Sequence, residues 1–289
     1  MKKIVFGSEV TPLRNLKLLI ILSFIITILV AMVSVAEIIH QKYLYSAANL
    51  LQIFVPNDII NLMVGLPFLF ISLLLTIRGK LPGLLCWPAA IFYFVYVYFP
   101  YIICVPFNYL FLPYLILFSL SIYTLIGVIV SIDSHAVCNL LSTKAPYRIF
   151  GGILIGLGVL IILRQTALII NALINNTIIE TPELAVWIDD FVVGSPAMLT
   201  GGYLLWKKKP LGYVVSPGLF ISYGILSIGL IPFILIQSHL KNTSVDIFAI
   251  AVLIVMALIC LIPFGVFIRS RHPIFVTEQC EHGKAMRGL

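Results

Sequence analysis

Six polar residues, Glu37, Asp58, Asn61, Arg164, Asp189 and Asp190, interrupt or border long runs of apolar side chains. An ionisable group within such a run costs roughly 2.5 to 3.5 kcal/mol to bury in lipid, so it marks an ion pair, a solute path or a reaction site. Arg164 falls inside the apolar run from Ile153 to Ile170. Counted from Pro146 at 1.5 Å per residue, it lies roughly 27 Å along a helix, in the outer third of a membrane. Asp189 and Asp190 begin an apolar run at a similar depth, with Glu37 and Asp58 nearby in height. The set predicts a polar, acidic site near the outer face, with Arg164 opposite a carboxylate. The plainer reading has Arg164 snorkelling to the headgroups or holding one static ion pair.

Tyrosines crowd the stretch that follows Asp58. Tyr98, Tyr101 and Tyr109 suit the membrane interface, where aromatic belts form. Tyr93 and Tyr96 lie deeper and need hydrogen-bond partners inside the protein. Asn108, Ser119 and Tyr123 share one helical face and are the expected partners, so Tyr93, Tyr96 and Tyr123 predict an aromatic-lined pocket for an apolar or cationic ligand. Catalytic and cofactor patterns are missing. There is no H-E-x-x-H, no G-x-S-x-G and no G-x-x-x-x-G-K-[ST], and the five cysteines form no C-x-x-C pair. No catalytic residue, metal ligand or cofactor is assigned, and an enzyme is the less favoured reading.

These residues must be positioned by membrane helices. Of the 289 residues, 61% are hydrophobic and 10% charged, against about 25% charged in a soluble domain. Mean hydropathy is +1.14. Eight stretches are long enough to cross a hydrocarbon core, at about 16–37, 58–77, 82–101, 108–131, 149–171, 184–206, 213–237 and 247–268. With the N-terminus inside, the cytoplasmic segments hold 15 of the 18 basic residues, which satisfies the positive-inside rule with both termini in. The net charge of +7 therefore reflects topology, and no nucleic-acid partner is implied.

The chain also contains itself twice. Residues 58–94, moved forward by 129 positions, fall without a gap on 187–223. Val64-Gly65-Leu66-Pro67 meets Val193-Gly194-Ser195-Pro196, Gly83 meets Gly212, and Pro88 meets Pro217. Such recurrence fixes architecture before any element is assigned. The expected fold is all-α: a polytopic helical bundle of two parallel four-helix repeats, residues 1–137 and 138–289, the second ending in a cytoplasmic tail. Asp58, Asn61, Gly65, Ser72 and Thr76 line one face of the second span, and Asp190, Gly194, Ala197 and Gly201 one face of the sixth. Small residues let helices approach closely where lipid offers no hydrophobic drive. Residues Gln41 to Val55 read as an interfacial helix or cap.

The stretch from Asn57-Asp58 to Asp133, with Arg78-Gly79-Lys80, Tyr93-x-x-Tyr96, Phe107-Asn108-x-x-Phe111-Leu112 and Ser119-x-Ser121-x-Tyr123, resembles a group of uncharacterised prokaryotic multi-pass membrane proteins. Leu204-Leu205-Trp206-Lys207-Lys208-Lys209-Pro210-Leu211-Gly212-Tyr213 looks like the second-half counterpart. The resemblance implies a bacterial or archaeal cytoplasmic membrane and assigns no activity. The expected function is transporter-like, with the bilayer and a small solute or lipid as partners. The alternatives are a membrane-embedded enzyme acting on a lipid or membrane-bound substrate, and a non-catalytic membrane subunit.

Overall fold

The computed structural model describes residues 3–6, 9–12, 16–45, 47–141 and 146–269. A two-stranded antiparallel hairpin, β1 (Lys3–Phe6) with β2 (Glu9–Pro12), precedes a body made of helices. The sequence reading did not contain this hairpin. The helices are α1 (Leu16–Ile39), α2 (Gln41–Leu44), α3 (Ala48–Ile60), α4 (Leu66–Ile77), α5 (Leu81–Cys104), α6 (Phe111–Ser131), α7 (Ser134–Leu140) and α8 (Tyr147–Ile174). They continue with α9 (Thr181–Asp189), α10 (Ser195–Trp206), α11 (Gly212–Lys241) and α12 (Ile247–Arg269).

Among the described residues, seven helices are long and apolar enough to cross a membrane. One of them is the continuous helix from Ala48 to Ile77, so the Gln41–Val55 stretch is no separate cap: most of it is the first part of that span. The expected span at 184–206 is also a continuous helix, running from Thr181 to Trp206. It falls outside the seven because it carries Glu183, Asp189 and Asp190 and is correspondingly less apolar.

Membrane helices are apolar on all sides, so burial separates their faces better than hydropathy does. In α1, Ile26 and Val30 are fully buried, whereas Ile28 and Met32, facing outward, are 57% and 63% exposed. The deepest elements are α5 and α11, which pack on each other along the middle of the bundle. α5 also packs on α9, and α11 on α3.

The backbone recurs at the 129-residue spacing. A π-helical turn at Asn61–Gly65 separates α3 from α4, and another at Asp190–Gly194 separates α9 from α10. Pro67 and Pro196 follow each turn. A proline inside a helix removes one backbone donor and crowds the carbonyl four residues back, and a wide turn relieves that crowding. The Leu66 N–H reaches back five residues to Asn61 O, and the Ser195 N–H to Asp190 O. α4 and α10 then end alike. The Lys80 N–H bonds Leu75 O at 2.9 Å and the Lys209 N–H bonds Leu204 O at 2.8 Å, each closing its helix with a six-to-one bond. Gly79 (φ 69°) and Lys208 (φ 53°) take the left-handed position these ends require. Beyond the turn, α5 crosses α4 so closely that a Cβ on Gly83 would lie 2.3 Å from Thr76 N. At Gly212 it would lie 2.5 Å from Leu205 N.

Candidate functional site

Four carboxylates are buried in the bundle: Glu37, Asp58, Asp189 and Asp190. No Lys or Arg makes an ion pair with any of them among the described residues. A buried carboxylate without a counter-charge must be heavily hydrogen-bonded or neutral, since desolvating the ion costs several kcal/mol.

Asp58 is heavily bonded. The Tyr45 hydroxyl donates to its Oδ2 at 2.9 Å and the Tyr101 hydroxyl to its Oδ1 at 2.5 Å. Tyr101 in turn accepts from Asn57 Nδ2 at 3.2 Å. Because that oxygen is accepting, its single proton is committed to Asp58. Tyr45 lies in the short connection between α2 and α3. Burial, followed by the neighbouring Asp58 and Glu37 carboxylates, pushes its phenol well above the ordinary value, so it stays a neutral donor. Phe54 holds both phenols in place, with its ring 5.5 Å from Tyr45 and 4.7 Å from Tyr101.

Glu37 is the opposite case. It reaches the same spot from the last turn of α1, is fully buried, and neither oxygen has a hydrogen-bond partner. Tyr114, Asp58 and Tyr45 surround it. The Tyr114 hydroxyl is itself buried and unpartnered.

The π-helical turns hold the second pair of polar groups. Each begins with the polar residue, Asn61 or Asp190, and ends on glycine. A Cβ on Gly65 would meet Tyr93 at 2.6 Å and one on Gly194 the Tyr223 hydroxyl at 2.8 Å, so both glycines make room for a tyrosine. Tyr93 donates to Asn61 Oδ1 at 3.3 Å, a bond within residues 58–94. Asp190 instead accepts from Tyr96 on α5 at 2.8 Å and from the Gln165 amide on α8. The Ser195 hydroxyl caps Asp190 O at 2.7 Å and steadies the turn.

A cavity of about 260 Å³ lies where α3, α5, α9 and α11 meet. Its walls are mainly apolar and aromatic, including Phe54, Val97, Val186 and Phe233. Its polar side chains are Asn57, Tyr96, Asp189, Tyr223 and Ser227. Both oxygens of Asp189, the hydroxyl of Tyr223 and Oε1 of Gln165 are buried without hydrogen-bond partners. A second, almost wholly apolar cavity of about 190 Å³ lies further along α5 and α11, against Phe92, Ala197, Gly218 and Ser222. The Phe92 and Tyr223 rings, 6.1 Å apart, stand between the two.

No protein-family model, curated protein or solved structure matches the chain.

The sequence-predicted residues divide into separate groups. Glu37 and Asp58 meet in one cluster, Asn61 bonds Tyr93, Asp190 bonds Tyr96, and Asp189 borders the cavity. Arg164 joins none of them: it is exposed on α8 and makes no ion pair among the described residues. Its neighbour Gln165 is the residue turned inward, one helical step of about 100° away. Tyr123 is 73% exposed and lines neither cavity. Asn108 bonds only within its own loop, to Pro106 O and the Leu110 N–H. Tyr101, expected in an interfacial belt, is fully buried on Asp58, and Tyr98 is buried as well. Tyr45, Tyr101, Tyr114, Gln165 and Tyr223 escaped sequence reasoning as site residues. For Tyr101 the available signal was its spacing of eight from Tyr93, which puts both on one face of α5.

Proposed function

We propose that the protein is a transporter-like carrier of a small organic cation, bound in the cavity between two four-helix halves. The observation that carries this reading is Asp189, a buried carboxylate with no protein partner that borders an otherwise apolar and aromatic cavity. Aromatic faces attract cations, and a single acidic group orients them. A compact amine with an apolar body would meet both.

The architecture behind this reading is eight spans, with residues 1–137 and 138–289 as parallel repeats, both termini cytoplasmic, in a prokaryotic cell membrane. Matching π-helical turns, matching helix ends and the reciprocal packing of α5 on α9 and α11 on α3 support the duplication. In that frame the Asp189 cavity opens toward the outer half of the bundle. The Phe92–Tyr223 contact separates it from the inner, apolar cavity, as alternating access requires of a closed gate.

The test is thermal stabilisation of the purified full chain in detergent by phenethylamine, compared with a neutral isostere lacking the amine. Stabilisation by the amine alone, abolished in Asp189→Asn, is the expected result. Equal stabilisation by both compounds, or an unchanged response in Asp189→Asn, rejects the reading.

A further inference from the structure

We propose that Glu37 and Asp58 form a single-proton site, with the proton on Glu37 and Asp58 ionised, linked to the cavity through Tyr101 and Asn57. The proton site stands by itself. Its linkage rests on reading the cavity as a solute site.

Two adjacent carboxylates that are both fully buried cannot both ionise where no cation compensates them. The groups that face the pair come from every element packed around it. Tyr114 comes from α6, Tyr98 and Tyr101 from α5, and Tyr45 from the connection before α3. None is basic. His40 and Lys42, at the exposed corner of the same turn, make no ion pair with either carboxylate among the described residues.

Hydrogen-bond direction then assigns the proton. Both Asp58 oxygens receive a phenol proton, from Tyr45 and Tyr101, and the Asn57 amide fixes Tyr101 as donor by bonding its oxygen. A carboxylate taking two donors is favoured as the anion. Glu37, with Tyr114, Asp58 and Tyr45 beside it, has no donor at hydrogen-bonding geometry on either oxygen, so its neutral form is the one that fits. A protonated Glu37 has an O–H to offer, and the buried Tyr114 oxygen beside it lacks a partner.

The route to the cavity is short. Asn57 borders the cavity and donates to Tyr101, which donates to Asp58. A solute that draws the Asn57 amide toward itself releases the Tyr101 hydroxyl from its fixed role. The anion on Asp58 is then less stabilised, and the pair holds its proton more tightly. Occupation of the cavity and protonation of the pair are therefore linked through the Asn57 and Tyr101 bonds, and by linkage each changes the equilibrium of the other.

The experiment is infrared difference spectroscopy of the full chain in lipid nanodiscs, following the protonated-carboxyl C=O stretch as pH is raised, with and without sodium. In Asp189→Asn, which removes the other buried carboxyl without a partner, a band should remain that titrates away, and it should vanish when Glu37→Gln is added. Tyr101→Phe should move its midpoint upward by roughly one pH unit, the worth of one lost hydrogen bond. Asn57→Leu, which leaves Tyr101 free to rotate, should move it the same way by less. Thermal unfolding of each variant verifies that it is folded, and Glu37→Asp supplies a carboxylate variant should Glu37→Gln not fold. It should restore a band at a shifted position. A band in Asp189→Asn that Glu37→Gln leaves unaffected overturns the proton assignment. A band displaced by sodium at constant pH makes this a metal-cation site and overturns it too. An unmoved midpoint in both Tyr101→Phe and Asn57→Leu overturns the linkage. The amine-stabilisation test can fail while the band behaves as stated, so failure of the carrier reading is distinguishable from failure of the proton site.

Discussion

Asn61 and Asp190 begin the same π-helical turn in the two parts of the molecule, yet they are connected differently. Asn61 takes one phenol, Tyr93 from α5, at 3.3 Å. Asp190 takes Tyr96 from α5 at 2.8 Å and Gln165 from α8. The position matching Tyr96 is Ile225, which has no donor, and the position matching Asp189 is Ile60. Backbone geometry recurs while the polar side chains do not. The turns, caps and close crossings set where a polar group is presented, and the side chain placed there decides its chemistry. The cavity where α3, α5, α9 and α11 meet is thereby acidic on the α9 side only.

The largest effects should come from the close helix crossings that recur at Gly83 and Gly212. Gly83→Ala and Gly212→Ala each put a Cβ within 2.5 Å of backbone in the preceding helix, a clash no rotamer relieves. Each should cost about 3 kcal/mol or more and abolish monodisperse protein on size exclusion in detergent. Tolerance of one but not the other would break the equivalence of the two turns.

Next in size is the contrast between a bonded and an unbonded carboxylate. Asp58→Leu strands the Tyr45 and Tyr101 hydroxyls and should lower stability by about 2 to 6 kcal/mol, since each buried unsatisfied donor costs about 1 to 3. Asp189→Leu strands nothing and removes a buried polar group, so its unfolding midpoint should stay or rise. If both variants lose stability alike, Asp189 has a protein partner and the distinction between the two carboxylates collapses.

The two polar turn positions, 129 residues apart, were legible in the sequence because a constant offset needs no knowledge of the third dimension. The partners were not. Helical spacing reports which residues share a face of one helix, but it is silent on which other helix that face meets. Tyr101 looked interfacial because it stands near a helix end, yet α3 and α6 cover it. Tyr123 looked like a pocket residue because it shares a stripe with Ser119, but the stripe faces outward. In a helix that is apolar all round, hydropathy cannot choose between the lipid side and the core side.

A smaller effect tests the bond that ties α5 to the second π-helical turn. Tyr96→Phe removes the hydroxyl from Asp190 and should cost about 1.5 kcal/mol, the usual worth of a hydrogen bond to a carboxylate. The loss should show as a lower unfolding midpoint. Tyr93→Phe, which removes a longer bond to a neutral amide, should cost less. The reverse order would mean that Asn61, and not Asp190, carries the stronger connection.

The smallest effect is expected at the residue that looked sharpest in the sequence. Arg164 and Gln165 are adjacent on α8, but the first is exposed and the second is fully buried on Asp190. Arg164→Leu should change stability by no more than about 0.5 kcal/mol, as for surface substitutions away from special features. Gln165→Leu should cost about 1 to 2, because it strips a donor from a buried acid. An arginine within an apolar run attracts notice through its charge, yet a helix turns about 100° per residue, and one position separates lipid from core. If Arg164→Leu proves the more damaging of the two, the arginine has a partner that the fold described above does not give it. The acidic side of the cavity would then have to be redrawn around that pair.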